Sequence, residues 1–169
     1  SAGTAARFLT VMLALAGGEY ELDASPQMCK RPMEPLLGIL ENAGAEITYH
    51  GENGHFPFKM KSNQISIREV SIDTKISSQF ASALLMSGVL MEQGIAIQME
   101  GDRAEGSYIK MTLAMMRHFG IDFSKNGSKV TVPGNRDFGL SEYKIEPDVS
   151  GACYFYAMAP LLGVSVTVP

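Results

Sequence analysis

Ser78-Gln-Phe-Ala-Ser-Ala-Leu-Leu-Met86, leading to Gly94 and then Ile95-Ala-Ile-Gln98, decides the architecture because its pattern occurs three times. The first copy runs from Thr4-Ala-Ala-Arg-Phe-Leu-Thr-Val-Met-Leu-Ala through Gly18 to Glu19-Tyr-Glu-Leu22. The third runs from Ser150-Gly-Ala-Cys-Tyr-Phe-Tyr-Ala-Met-Ala-Pro-Leu-Leu162 through Gly163 to Val164-Ser-Val-Thr167. Each reads as a helix of small and apolar residues, a glycine stop and a short strand. Glycine suits the stop because it takes a left-handed conformation without steric cost.

A second helix extends the unit. Pro35-Leu-Leu-Gly-Ile-Leu-Glu-Asn-Ala-Gly44 matches Ile109-Lys-Met-Thr-Leu-Ala-Met-Met-Arg-His-Phe-Gly120. Gly18 and Gly94 lie 76 residues apart, as do Gly44 and Gly120, so two landmarks share one offset. Strand-like pieces follow each second helix: Ala45–Tyr49 and Phe56–Met60, then Ile121–Ser124 and Lys129–Val132. Asn53-Gly54 and Asn126-Gly127 read as the hairpin turns between them. Gln64-Ile-Ser-Ile67 with Val70-Ser-Ile72 would open the second copy, and Glu142-Tyr-Lys-Ile145 the third. The unit is therefore βαβαββ, an α/β repeat whose helical crossovers imply parallel strand pairs. The first copy lacks its opening strand and the third stops halfway, so about two units plus part of a third are expected.

Composition narrows the function. In 169 residues, 46% are hydrophobic and 19% charged, which supplies a core and excludes disorder. Fourteen Lys and Arg against 18 Asp and Glu give a net charge of −4, unsuited to general nucleic-acid binding but compatible with a local anion pocket. Two cysteines, Cys29 and Cys153, are too few for a disulfide scaffold, which makes a reducing cytoplasm the simplest setting. His50, His55 and His118 match no metal spacing. The apolar run Phe8–Gly17 is too short to span a membrane; it reads as a buried helix rather than a signal segment.

The candidate chemistry sits at helix starts. Gly3 and Thr4, with Arg7 in the first turn, would offer backbone N–H groups to an anion, or Thr4 or Ser1 would simply cap the helix. Ser77, Ser78 and Gln79 hold the equivalent place in the second copy, again as caps or as phosphate ligands. Lys30-Arg31-Pro32 precedes a helix, with Pro32 read as an early helical residue. A cation there opposes the helix dipole, so Arg31 points either to an anionic partner or to a pair with Glu34. Tyr108 reads as a ligand wall or a half-buried helix residue, with Asp102 and Glu105 nearby to repel anions. Asp148 reads as an N-cap before the third helix rather than a catalytic acid.

Ala2-Gly-Thr-Ala-Ala-Arg-Phe8, Lys30-Arg-Pro-Met33 with Leu36–Gly44, Ser77-Ser-Gln-Phe-Ala-Ser-Ala-Leu-Leu-Met86, Tyr108-Ile-Lys-Met-Thr-Leu113 and Glu146-Pro-Asp148 stand in the order seen in the 5-enolpyruvylshikimate-3-phosphate synthase family, which the chain resembles along its whole length. The sister UDP-N-acetylglucosamine enolpyruvyl transferases share the repeat but are less similar at Ser-Ser-Gln-Phe and Gly-Thr-Ala-Ala-Arg. A non-catalytic anion-binding module is the other alternative. The resemblance implies the enolpyruvyl transferase fold, an inverse α/β barrel type. Residues 1–146 would form two βαβαββ units of one domain, and 147–169 would begin the crossing into the other.

The resemblance also implies the reaction. The carboxyvinyl group of phosphoenolpyruvate passes to the 5-hydroxyl of shikimate 3-phosphate, phosphate leaves, no metal or organic cofactor takes part, and glyphosate inhibits. Ser77, Ser78, Gln79 and Tyr108 would then bind shikimate 3-phosphate; Gly3, Thr4, Arg31 and Gln79 would bind phosphoenolpyruvate. Three positions depart from the family: Glu105 stands where serine is frequent, Ser107 where proline is, and Lys110 where aspartate is. The family's Lys-Ser segment would precede Ser1, and its catalytic Asp and Glu would follow Pro169, so this chain alone is expected to bind substrate without turning it over. Family members are expected to be cytoplasmic monomers that bind neither nucleic acid nor membrane. In this chain the apolar segment Asp148–Pro169 is expected to cover an open face or to pair two copies.

Overall fold

The computed structural model describes residues 3–63, 65–140 and 142–168. Contacts along the chain divide it into two units, Ser1–Gly139 and Leu140–Pro169.

The first unit contains α1 (Gly3–Ala16), β1 (Gly18–Leu22), α2 (Pro26–Cys29), α3 (Glu34–Asn42), β2 (Glu46–Tyr49) and β3 (Phe58–Ser62). It continues with β4 (Glu69–Asp73), α4 (Ser78–Gly88), β5 (Ile95–Glu100), α5 (Ser107–His118), β6 (Ser124–Asn126) and β7 (Lys129–Val132). The stretch from β4 to β7 is one complete βαβαββ repeat. Its sheet has the order β4-β5-β7-β6, with β4 and β5 parallel and the other pairs antiparallel. The preceding copy forms the sheet β1-β3-β2, the same arrangement without the parallel edge strand. The 76-residue offset is therefore a structural period.

Helix α4 occupies the centre. Nine of its eleven residues are buried, and it packs against α1 on one side and α5 on another. A helix that is apolar on nearly every face belongs inside a core. Phe80, Leu84 and Leu85 from α4 meet Leu36, Leu37 and Leu40 of α3, Phe58 and Met60 of β3, and Ile95 and Ile97 of β5 within one buried cluster. Gly88 lets α4 approach β5 closely, since a Cβ there would overlap Ile95 Cγ2.

Several local expectations shift. The strand opening the second copy lies at Glu69–Asp73. Ile65 and Ile67 instead anchor an unpaired linker in the core, and Gln64 lies outside the described residues. The first hairpin spans an eight-residue loop, and the second turns at Gly127-Ser128, one residue later than Asn126-Gly127. Helix α1 stops at Gly17 rather than Gly18, which opens β1. Gly94 follows the end of α4 by six residues. Pro32 precedes the helix, whose first turn holds Glu34 and Pro35. The one-turn helix α2, capped by Ser25, was not legible because four residues carry no periodicity.

In the second unit, α6 (Val149–Leu162) is capped by Asp148, whose Oδ1 accepts from Gly151 N at 3.1 Å, and it ends at the left-handed Gly163. Neither Glu142–Ile145 nor Val164–Thr167 forms a strand, because a strand persists only when paired and neither stretch joins a ladder. Tyr154, Phe155, Leu161 and Leu162 of α6 are exposed. No helix among the described residues is long and apolar enough to cross a membrane.

Candidate anion-binding site

Three helix starts meet at one place in the first unit. Ser77 caps α4 in extended conformation (φ −163°), its Oγ accepting from Gln79 N at 3.2 Å. Capping does not exhaust this hydroxyl. It also accepts from Arg7 Nη1 at 3.3 Å, so its own proton stays available to an acceptor. Ser78 follows in the first turn and is mostly buried, as is Ser77. Gly106 starts α5 without a side-chain cap, leaving the first-turn N–H groups to other partners. Ser77, Ser78, Gln79, Arg103, Gly106, Ser107 and Tyr108 together line an open cleft of about 440 Å³. Two helix N-termini, each with its positive dipole end, thus border one depression. Tyr108 is 67% exposed, so it forms a wall rather than a core contact.

Gln79 joins this cleft to the start of α1. Its Nε2 donates to Thr4 Oγ1 at 2.9 Å, and its Oε1 accepts from Arg7 Nη1 at 2.6 Å. Thr4 lies inside the first turn of α1, where its hydroxyl oxygen accepts from Gln79; the alternative cap, Ser1, lies outside the described residues. A Cβ on Gly3 would sit 3.0 Å from Arg31 Nη1 and 3.8 Å from Gln79 Oε1, so a side chain there would press that guanidinium aside by a few tenths of an ångström. Among the described residues Arg31 forms no ion pair with Glu34 or any other acid. A second, largely apolar depression of about 260 Å³ shares Gln79 and Tyr108 with the cleft and is otherwise walled by Thr4, Phe8, Ser82, Met86, Met111, Thr112 and Met115.

The sequence reading gave two guanidiniums no role of their own. Arg103 lies between Asp102 and Glu105, and the acids on either side masked it. Arg7 is buried with Gly3, Thr10, Val11 and Ala14 on one stripe of α1, and a cation on such a stripe was the available signal. Burial, and after it the charge of Arg31, push the Arg7 guanidinium below its ordinary pKa. Glu105 does not line the cleft. Its carboxylate accepts from Lys125 Nζ at 2.6 Å, and that bond, with the lysine's charge, holds it below the ordinary carboxylate range. Among the described residues no carboxylate lines the cleft.

Hydroxyls, helix N-termini and three guanidiniums without an acidic partner among the described residues, gathered on a βαβαββ repeat, mark an α/β protein with a candidate site for small anions. The chain belongs to the EPSP synthase (3-phosphoshikimate 1-carboxyvinyltransferase) family, whose sequence model matches residues 1–169. It is 38% identical over 168 residues to the 3-phosphoshikimate 1-carboxyvinyltransferase of Trichormus variabilis, covering 99% of this chain and 39% of that protein. To the enzyme of Photobacterium damsela subsp. piscicida it is 40% identical, covering 99% and 40%. The EPSP synthase structure from Acinetobacter baumannii superposes with a TM-score of 0.69 at 26% identity, over 93% of this chain and 34% of that one. The chain thus spans about two fifths of the curated relatives it matches.

Proposed function

We propose that this chain supplies the substrate-anion half of a 3-phosphoshikimate 1-carboxyvinyltransferase, which moves the carboxyvinyl group of phosphoenolpyruvate to the 5-hydroxyl of shikimate 3-phosphate and releases phosphate. The observation that carries this reading is the Gln79 bridge between the α4–α5 cleft and the Gly3–Arg31 corner. Ser77 and Ser78 donate to the phosphate of shikimate 3-phosphate, and Tyr108 walls its ring. Arg31, beside Gly3 and Thr4, takes phosphoenolpyruvate, and Gln79 touches both substrates. Protonating the enol carbon and deprotonating the hydroxyl call for carboxylate or imidazole groups, and among the described residues none lines this cleft. The chain alone therefore binds without turnover. Residues 147–169 begin the passage to the second domain.

Calorimetry with shikimate 3-phosphate and, separately, UDP-N-acetylglucosamine tests the reading. Binding of the first alone supports it. Binding of the nucleotide sugar alone, or turnover by the purified chain, overturns it.

Further outcomes follow from the same geometry. Gly3→Ala should weaken phosphoenolpyruvate binding about tenfold, measured by titration, because Arg31 must move away from the new methyl group. Glu105→Ser should change shikimate 3-phosphate affinity less than about threefold, since Lys125 already neutralises Glu105 outside the cleft. The folded carboxyl's depressed pKa gives a small stabilisation that is present above the unfolded carboxylate range and fades as pH falls through the folded value. Self-association through the exposed face of α6 should appear in light scattering as a dimer that Tyr154→Lys with Leu161→Lys returns to monomer.

A further inference from the structure

Arg7 is an arginine placed where a core residue belongs, only 6% exposed. Its Nη1 donates to Gln79 Oε1 at 2.6 Å and to Ser77 Oγ at 3.3 Å, and its Nη2 donates to the Pro32 carbonyl at 3.5 Å. The guanidinium lies 4.7 Å from the centre of the Phe80 ring. Its Nε is buried without an acceptor among the described residues, and no carboxylate among them pairs with it. A buried charge without a counter-charge costs stability. It is therefore a poor device for holding helices together, where an apolar side chain would serve better.

What the guanidinium does uniquely is choose an orientation. Arginine carries only donors, so the Gln79 atom 2.6 Å away must be the carboxamide oxygen. The NH₂ group is thereby fixed toward Thr4 and the junction of the two depressions. The Pro32 carbonyl belongs to the residue after Arg31, so the same guanidinium also holds the turn that carries Arg31.

We infer that Arg7 is a positioning residue: it locks the Gln79 carboxamide with its NH₂ presented to the incoming anions, and it fixes the Arg31 turn beside it. The assignment rests on the cleft being the anion site, but the lock exists before any ligand arrives. Bound anions would meet donors already oriented, which avoids an ordering cost on binding.

The test uses the chain labelled with ¹⁵N and follows the Gln79 side-chain NH₂ pair, identified by its loss in Gln79→Ala. Arg7→Met keeps the apolar stem and removes every donor, and it should not lower the melting temperature, because an unpaired buried charge goes with it. The expected result is that the Gln79 pair, displaced from exposed glutamine amides in the parent chain, collapses onto them. Shikimate 3-phosphate affinity should fall about tenfold, and adding Gln79→Ala should lower it little further. A Gln79 pair unchanged in folded Arg7→Met overturns the inference, as do additive losses in the double variant. Collapse of the pair in a chain whose parent never binds shikimate 3-phosphate supports the lock and overturns the substrate reading instead. Should Arg7→Met not fold, Arg7→Lys takes its place: it keeps the charge but cannot span Gln79 and Pro32, and the same readouts decide.

Discussion

Phe80→Ala should lower the stability of the first unit by about 4 kcal/mol, within the 3–5 kcal/mol range for truncating a buried phenylalanine. Phe80 is fully buried on α4, the helix packed between α1 and α5. Truncation removes a large apolar surface and opens a cavity that the surrounding helices can fill only in part. It also removes the ring beneath the Arg7 guanidinium, leaving a buried cation with still less compensation. Denaturant melts followed by circular dichroism read the effect as a lower midpoint at unchanged slope. A loss under about 1 kcal/mol would mean that α4 is not the core helix described.

Arg31→Met should weaken phosphoenolpyruvate binding about 10- to 100-fold in the presence of shikimate 3-phosphate, with the melting temperature unchanged. Hydrogen bonds to charged groups contribute about 1.5–3 kcal/mol, and each 1.4 kcal/mol is a factor of ten. Arg31 is exposed and its guanidinium has no acidic partner among the described residues, so its removal breaks no internal bridge. Titration by calorimetry separates the two readings of this residue. A pure loss of affinity fits a ligand, whereas a lower melting temperature with intact affinity fits a structural cation.

The repeat was legible because two glycine landmarks and two helix patterns share one spacing, and the complete βαβαββ unit from β4 to β7 follows it. Strand boundaries were less legible, since pairing rather than local sequence decides which extended residues join a ladder. Val164–Thr167 alternates like a strand yet pairs with nothing, and Ile65 and Ile67 face the core without forming one. In the site, Ser77, Ser78, Gln79 and Tyr108 were legible from helix starts, and the structure brings them to one cleft. Arg103 and Arg7 were not singled out, because their roles depend on neighbours far away in sequence. Arg7 and Gln79 are 72 residues apart, nearly one repeat, which is the separation that stacks α1 on α4.

The most direct measurement titrates shikimate 3-phosphate into the ¹⁵N-labelled chain and follows the backbone amides, with Ser78→Ala as control. The account predicts saturable shifts at Ser77–Gln79 and Gly106–Tyr108 that Ser78→Ala weakens about tenfold while the spectrum stays folded. A folded chain whose amides at these positions do not move at millimolar ligand, or one whose shifts are untouched by Ser78→Ala, would contradict it.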